Sequence, residues 1–99
     1  MIYSIWESRF SEDTAAEGLR VTEAIWRDMP GFDGYLGHEL LVDADDPGHL
    51  LLVSQWTSRE RADAVLREYS SHPRAQAASR LASQPRRRFL ATRRPPGHQ

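Results

Sequence analysis

The stretch HLLLVSQW, residues 49–56, constrains this chain more than any other. In an extended strand Leu50, Leu52 and Trp56 fall on one face and Leu51 and Val53 on the other, so both faces are apolar. Such a strand belongs inside a sheet and has to be covered twice. Whatever layer packs on one side leaves the other still in need of shelter from water.

The flanking segments supply one layer. MIYSIWESRF places Ile2, Trp6 and Phe10 on one parity and Tyr3 and Ile5 on the other, which reads as a first strand. Thr14 followed by Glu17 is a capping box, and Leu19, Thr22, Ile25, Trp26 and Met29 recur at helical spacing until Pro30-Gly31. A second strand is expected from about Phe32 to Asp43 and a third from about His49 to Trp56, with the turn at Asp46-Pro47-Gly48. Thr57 and Glu60 form another capping box, ahead of a helix striped by Ala62, Val65, Leu66 and Tyr69. His72-Pro73 ends that helix; a short helical piece with Ala75, Ala78 and Leu81 follows, then a last strand within RRRFLATRR.

The order is βαββαβ, which predicts a ferredoxin-like α+β domain: a four-stranded antiparallel sheet with its helices on one face. The opposite face is then free for a second copy, and sheet-to-sheet homodimerisation is the expected answer to the apolar pattern of Leu51 and Val53. Residues 1–94 are read as one domain and 95–99, PPGHQ, as a disordered tail.

Composition excludes more than it selects. The 99 residues contain no cysteine, hence no thiolate nucleophile, disulfide or Cys-ligated metal. No apolar run reaches membrane-spanning length, and Glu7 and Arg9 interrupt any leader-like segment, so a cytoplasmic protein without membrane contact is expected. Residues 1–50 carry 11 Asp or Glu against 3 Arg and residues 51–99 carry 3 against 10. That asymmetry predicts pairing within the fold or between copies. Nucleic-acid binding is not expected, because Arg86-Arg87-Arg88 has only Phe89 as an aromatic neighbour. His38, His49, His72 and His98 show no ligand spacing, and no phosphate loop or nucleophile elbow is present, so neither metal nor cofactor is expected.

PGFDGYLGHELLVDADDPGHLLLVSQWTSRERAD, with Pro30-Gly31-Phe32 after the first helix and Trp56-Thr57-Ser58 at the end of the third strand, resembles the antibiotic biosynthesis monooxygenase domain family. The resemblance extends over nearly the whole chain and implies a dimeric α+β barrel. It also implies a cofactor-independent monooxygenase, or a related tailoring enzyme, acting with O2 on a small aromatic molecule of the anthrone type. The alternative is a small-molecule-binding barrel without catalysis. Trp56 matches the family's pocket tryptophan. The Asn and Tyr that accompany that tryptophan in anthrone oxygenases are Leu52 and Ala62 here, and their helical Arg aligns near Ser79 and Arg80. The site of the haem-degrading branch falls at or near Ser8, Val65 and Gln76, none of which retains its residue type.

Binding a flat polycycle needs aromatic walls, for which Trp6, Tyr35 and Trp56 are candidates together with Leu52, Ser54 and Arg80. Trp26 is a further aromatic, read as core because it sits in the apolar stripe. A turn at Pro47-Gly48 would set Glu39 opposite Trp56 and His38 on the reverse face. Glu39 is then the candidate proton acceptor, and His38 its rival should the register swap the faces. Trp56 is expected to line a chamber rather than only fill a core.

Overall fold

The computed structural model describes residues 1–95. Of the tail expected at 95–99, residues 96–99 lie outside the described ones. The elements are β1 (Ile2–Arg9), α1 (Ala15–Arg27), a short 3-10 turn (Met29–Gly31), β2 (Tyr35–Asp43), β3 (Asp46–Trp56), α2 (Arg59–Tyr69), α3 (Pro73–Leu81) and β4 (Arg87–Ala91). The sheet is antiparallel with strand order β2-β3-β1-β4. This is the ferredoxin-like α+β arrangement, and β3 lies inside the sheet as its two apolar faces require. No helix among the described residues is long and apolar enough to cross a membrane.

Alternation sorts the strands cleanly. On the helix side Leu50, Leu52 and Trp56 are each 2 % exposed and Ser54 is fully buried. Here Leu52 and Trp56 meet Ile25, Trp26, Val65 and Tyr69 from the helices, and Leu50 packs with Phe10 and Ala15. On the outward side Ile5, Leu51 and Val53 are half-buried, while Leu41 and Phe89 are 44 % and 51 % exposed.

The hairpin differs from expectation. Its turn is at Ala44-Asp45, where the Asp45 amide donates to Asp43 Oδ1 at 2.8 Å, and Pro47 and Gly48 already belong to β3. Short aspartates compete well for turns because their carboxylates bond the backbone two residues on. Gly48 is needed for another reason: a β-carbon there would collide with the carbonyl of Phe10, whose amide donates to Gly48 O at 2.7 Å. Moving the turn resets the register, so Glu39 pairs with Val53, not Trp56, and His38 pairs with Ser54. The faces are therefore swapped relative to expectation: Glu39 points outward and His38 lies on the helix side.

The two helix starts also deviate. Thr14 precedes α1 without capping it, because its hydroxyl donates to Leu81 O at 3.2 Å and ties α1 to the end of α3. Ser58 rather than Thr57 caps α2, accepting from the Arg61 amide at 3.2 Å. The Thr57 amide donates to Gly34 O at 2.9 Å, and Gly34 takes a positive φ of 88° that glycine adopts without strain. The opposed charges of the two halves meet in part within the fold, as Asp28–Arg74 at 2.8 Å and Glu7–Arg87 and Asp33–Arg61 at 3.6 Å.

Candidate functional site

Between the inner sheet face and the helices lies a cavity of about 180 Å³. Its cause is visible in β1, whose inward positions alternate large and small as Ile2, Ser4, Trp6 and Ser8. Opposite, α2 and α3 contribute Ala62 and Ala75. Small side chains facing small side chains leave space that close packing would otherwise remove. All three tryptophans of the chain line it: Trp6 from β1, Trp26 from α1 and Trp56 from β3.

The polar groups around the cavity are fixed by partners. Trp56 Nε1 donates to Ser54 Oγ at 3.0 Å, and that hydroxyl donates to Ser4 O at 2.7 Å, which locks the indole in place. Arg88 spans from Ser4 Oγ to Asp63 Oδ1, both at 3.0 Å, so its charge is neutralised within the site. Arg86 is different. Its guanidinium lies 5.0 Å above the Trp6 ring, and Nη2 donates to Ser79 Oγ at 3.0 Å. No carboxylate pairs with it among the described residues, and burial disfavours its charge, pushing its pKa below the usual arginine value. The cavity wall thus presents one half-buried cation, without a carboxylate partner among the described residues, that a bound anion would complement.

At the far end, Tyr69 donates to Asp28 Oδ2 at 2.7 Å and Arg74 Nη1 reaches the same oxygen at 2.8 Å. The Tyr69 bond and the nearby guanidinium hold the Asp28 carboxyl below the usual carboxylate range, and burial raises the Tyr69 phenol above its own. His72 caps α3, accepting from the Arg74 amide at 3.1 Å, and stacks on Tyr69 at 4.5 Å.

Of the residues expected to bind substrate, Trp56, Trp6 and Leu52 line the cavity. Tyr35 stands behind, edge-on to Trp56 at 5.7 Å, and Ser54 acts through the indole it holds. Arg80 is exposed on α3 and outside the lining, which Ser79 and Arg86 reach instead. Glu39 is exposed on the outward face, so it cannot serve the cavity. His38 shares the inner face but lies beyond Trp26, in an open groove of about 410 Å³. Its Nδ1 is 2.6 Å from the Tyr35 hydroxyl. No Asp, Glu or His is among the described residues that line the cavity between sheet and helices.

Trp56 fills the core and walls the chamber at once, and Trp26, read as core, does the same. Sequence reasoning missed Arg86 and Arg88. Their shared parity, opposite to that of Phe89, was the available signal, and it becomes readable only once β4 is paired to β1 with Arg88 opposite Trp6.

The profile of the antibiotic biosynthesis monooxygenase family matches residues 1–81. A search among curated proteins finds no match. Solved structures with the same fold include a mutant form of SnoaB, described as a cofactor-independent oxygenase from Streptomyces nogalater. That chain has 19% identity and a TM-score of 0.81, with 94% of this chain and 92% of that one covered. Rv0793 from Mycobacterium tuberculosis has 20% identity and a TM-score of 0.72, with 98% of each chain covered. A structure described as antibiotic biosynthesis monooxygenase has 17% identity and a TM-score of 0.78, with 96% of this chain and 100% of that one covered.

Proposed function

Because the chain belongs to the antibiotic biosynthesis monooxygenase family, we propose that its cavity binds a small, flat, phenolic molecule of the anthrone type as the anion and oxygenates it with O2, without a cofactor. The observation that carries this reading is Arg86, a cation against the Trp6 ring with no carboxylate of its own among the described residues. The indoles of Trp6, Trp26 and Trp56 offer faces and edges to a planar ring system, and Arg86 favours the ionised form of a hydroxyl or enol at its rim.

The protein's part is then electrostatic. With no carboxylate or imidazole among the described residues that line the cavity, the substrate's proton leaves to solvent, and the anion is held where water is scarce. The electron-rich carbanion, a ring carbon that keeps one hydrogen, adds O2 to give a peroxide anion, which takes up a proton. The hydroperoxide then loses water: its O–O bond breaks, the remaining hydrogen on that carbon leaves as a proton, and a ketone is left. One oxygen atom ends in the product and the other in water. The same reading seats a second copy on the outward sheet face, supported by the exposed Leu41 and Phe89 beside the half-buried Ile5, Leu51 and Val53.

Oxygen uptake with a hydroxyanthrone is the test. Conversion to the quinone well above the spontaneous rate is expected. Fluorescence quenching that reports binding, with no acceleration of oxygen uptake, would instead identify a binding barrel and sink the catalytic reading.

A further inference from the structure

Tyr35 and His38 have no part in the cavity, yet they are joined to its wall. Trp26 and Trp56, 8 % and 2 % exposed, have ring centroids 6.5 Å apart. His38 lies 5.3 Å from Trp26, Tyr35 lies 5.7 Å from Trp56, and the Tyr35 and His38 rings are 5.9 Å apart. Four oxidisable or proton-accepting rings therefore form a closed circuit from the buried chamber to solvent, where His38 is exposed. At the outer end the Tyr35 hydroxyl is 2.6 Å from His38 Nδ1. With the neutral imidazole carrying its proton on Nε2, Nδ1 accepts from the phenol. A phenol that loses an electron becomes strongly acidic, so a base already in hydrogen-bond contact makes its oxidation far easier. Glu23 and Arg27 of α1 face His38 across the groove, one charge of each sign.

We propose that Trp26, Trp56, Tyr35 and His38 are a relay that carries an oxidising equivalent from the cavity to the protein surface. The inference rests on the reading that the cavity brings O2 to an electron-rich anion. An anion that passes one electron to O2 leaves a carbon radical and superoxide. A carbon radical that escapes their coupling adds a second O2 and becomes a peroxyl radical, ROO•, against the indoles. An indole gives it one electron, and the resulting ROO⁻ takes a proton from solvent to become ROOH. Tyr35 refills the indole radical cation with one electron while its phenolic proton passes to His38 Nδ1. A neutral tyrosyl radical and an imidazolium then stand at the surface. A thiol in solution returns one hydrogen atom to the tyrosyl and leaves as a thiyl radical, which pairs with a second to form a disulfide, and His38 releases its proton to water. The tryptophans, whose loss would collapse the chamber, end unoxidised.

The test uses the full chain with no substrate, so its outcome does not depend on the oxygenation reading. Flash photolysis of a ruthenium polypyridyl sensitiser with a cobalt(III) acceptor generates the oxidant. In the unaltered protein the indole radical should decay into a tyrosyl signal. Tyr35→Phe keeps the ring against Trp56 and should remove most of that signal, whereas Tyr69→Phe should leave it. His38→Gln, at an exposed position that does not threaten folding, should slow tyrosyl formation about a hundredfold, the scale of a lost positioned base. A tyrosyl yield in Tyr35→Phe equal to the parent's, or tyrosyl formation as fast in His38→Gln as in the parent, would overturn the relay.

Discussion

The two faces of the sheet are made by the same strands, yet they solve different problems. On the inner face Ser4, Ser8 and Ser54 alternate with indoles and leucines, and every buried side-chain polar atom among the described residues has a partner. Small hydroxyls there create space without leaving unpaired groups. The outer face has no such alternation of size. It carries an apolar middle and, at the hairpin end, a charged clamp in which His49 Nε2 meets Glu7 Oε2 at 2.7 Å and Nδ1 meets Asp43 Oδ2 at 2.8 Å. That clamp crosses β1, β3 and β2. One face encloses a cavity and the other presents an exposed apolar middle, and a single residue of register decides which is which.

The contrast breaks most readily at Trp56. Trp56→Ala deletes an indole that is 2 % exposed and hydrogen-bonded to Ser54, and it should cost about 3–5 kcal/mol, a large share of the stability of a small domain. Thermal and denaturant melts would show this; a loss below about 1 kcal/mol would mean that the pre-existing cavity already absorbs the missing ring. Next in size is Arg86→Met, which keeps the stem on Trp6 while removing the charge. Turnover of a hydroxyanthrone should fall by about 10²-fold, the usual consequence of losing one preorganised partner of a developing oxyanion, with the melting temperature little changed. Arg88→Met serves as the comparison: it leaves Asp63 without its partner and should lower stability more than turnover.

A smaller effect on stability, and a large one on assembly, is expected on the outer face. Leu51→Asp with Val53→Asp touches only half-buried side chains, so the fold should survive. Sedimentation velocity should then find monomers, against the dimer proposed for the parent. A parent that is itself a well-folded monomer at micromolar concentration would remove the outer face's assigned purpose.

The smallest effect is a dependence on pH. Both carboxylates raise the His49 pKa above the ordinary imidazole value, and His49 in turn holds Glu7 and Asp43 below theirs. A group with a raised folded pKa stabilises fully below its unfolded value and loses that contribution as pH rises through the folded one. The two carboxylates stabilise above their unfolded range and lose the contribution as pH falls. The clamp should therefore favour the fold most in mildly acidic solution, between the carboxylate and imidazole ranges. His49→Gln should flatten the melting temperature's decline towards alkaline pH; an unchanged slope would show that the clamp adds nothing.

Much of this was readable in advance, for reasons that differ between regions. The element order followed from helical stripes and the two Gly- or Pro-containing breaks, and the location of β3 followed from its two apolar faces. Register did not, because two turn signals compete within Asp43–Gly48 and the aspartates win over Pro47-Gly48. That error put both residues on the wrong face: Glu39 lies outward and His38 on the helix side. Trp56 was legible as cavity wall because parity and family resemblance agreed, Leu52 because it shares that face, and Trp6 as an aromatic of the first strand. Arg86 was not, since it precedes β4 and its direction depends on a partner strand at the opposite end of the chain.

The strand order also has a consequence for how the chain comes into being. β1 is a central strand, with β3 on one side and β4 on the other. It leaves the ribosome before either neighbour exists, and Trp6 waits for Leu52 and then for Arg88. The β2–β3 hairpin can form locally, but closure around β1 needs contacts of long sequence separation, which are slow to find. Until Arg87–Ala91 has been synthesised, one edge of β1 remains open, with unpaired backbone beside an indole. Newly made copies are most exposed to cross-pairing in that interval, and a chain stopped before β4 would carry the exposure permanently.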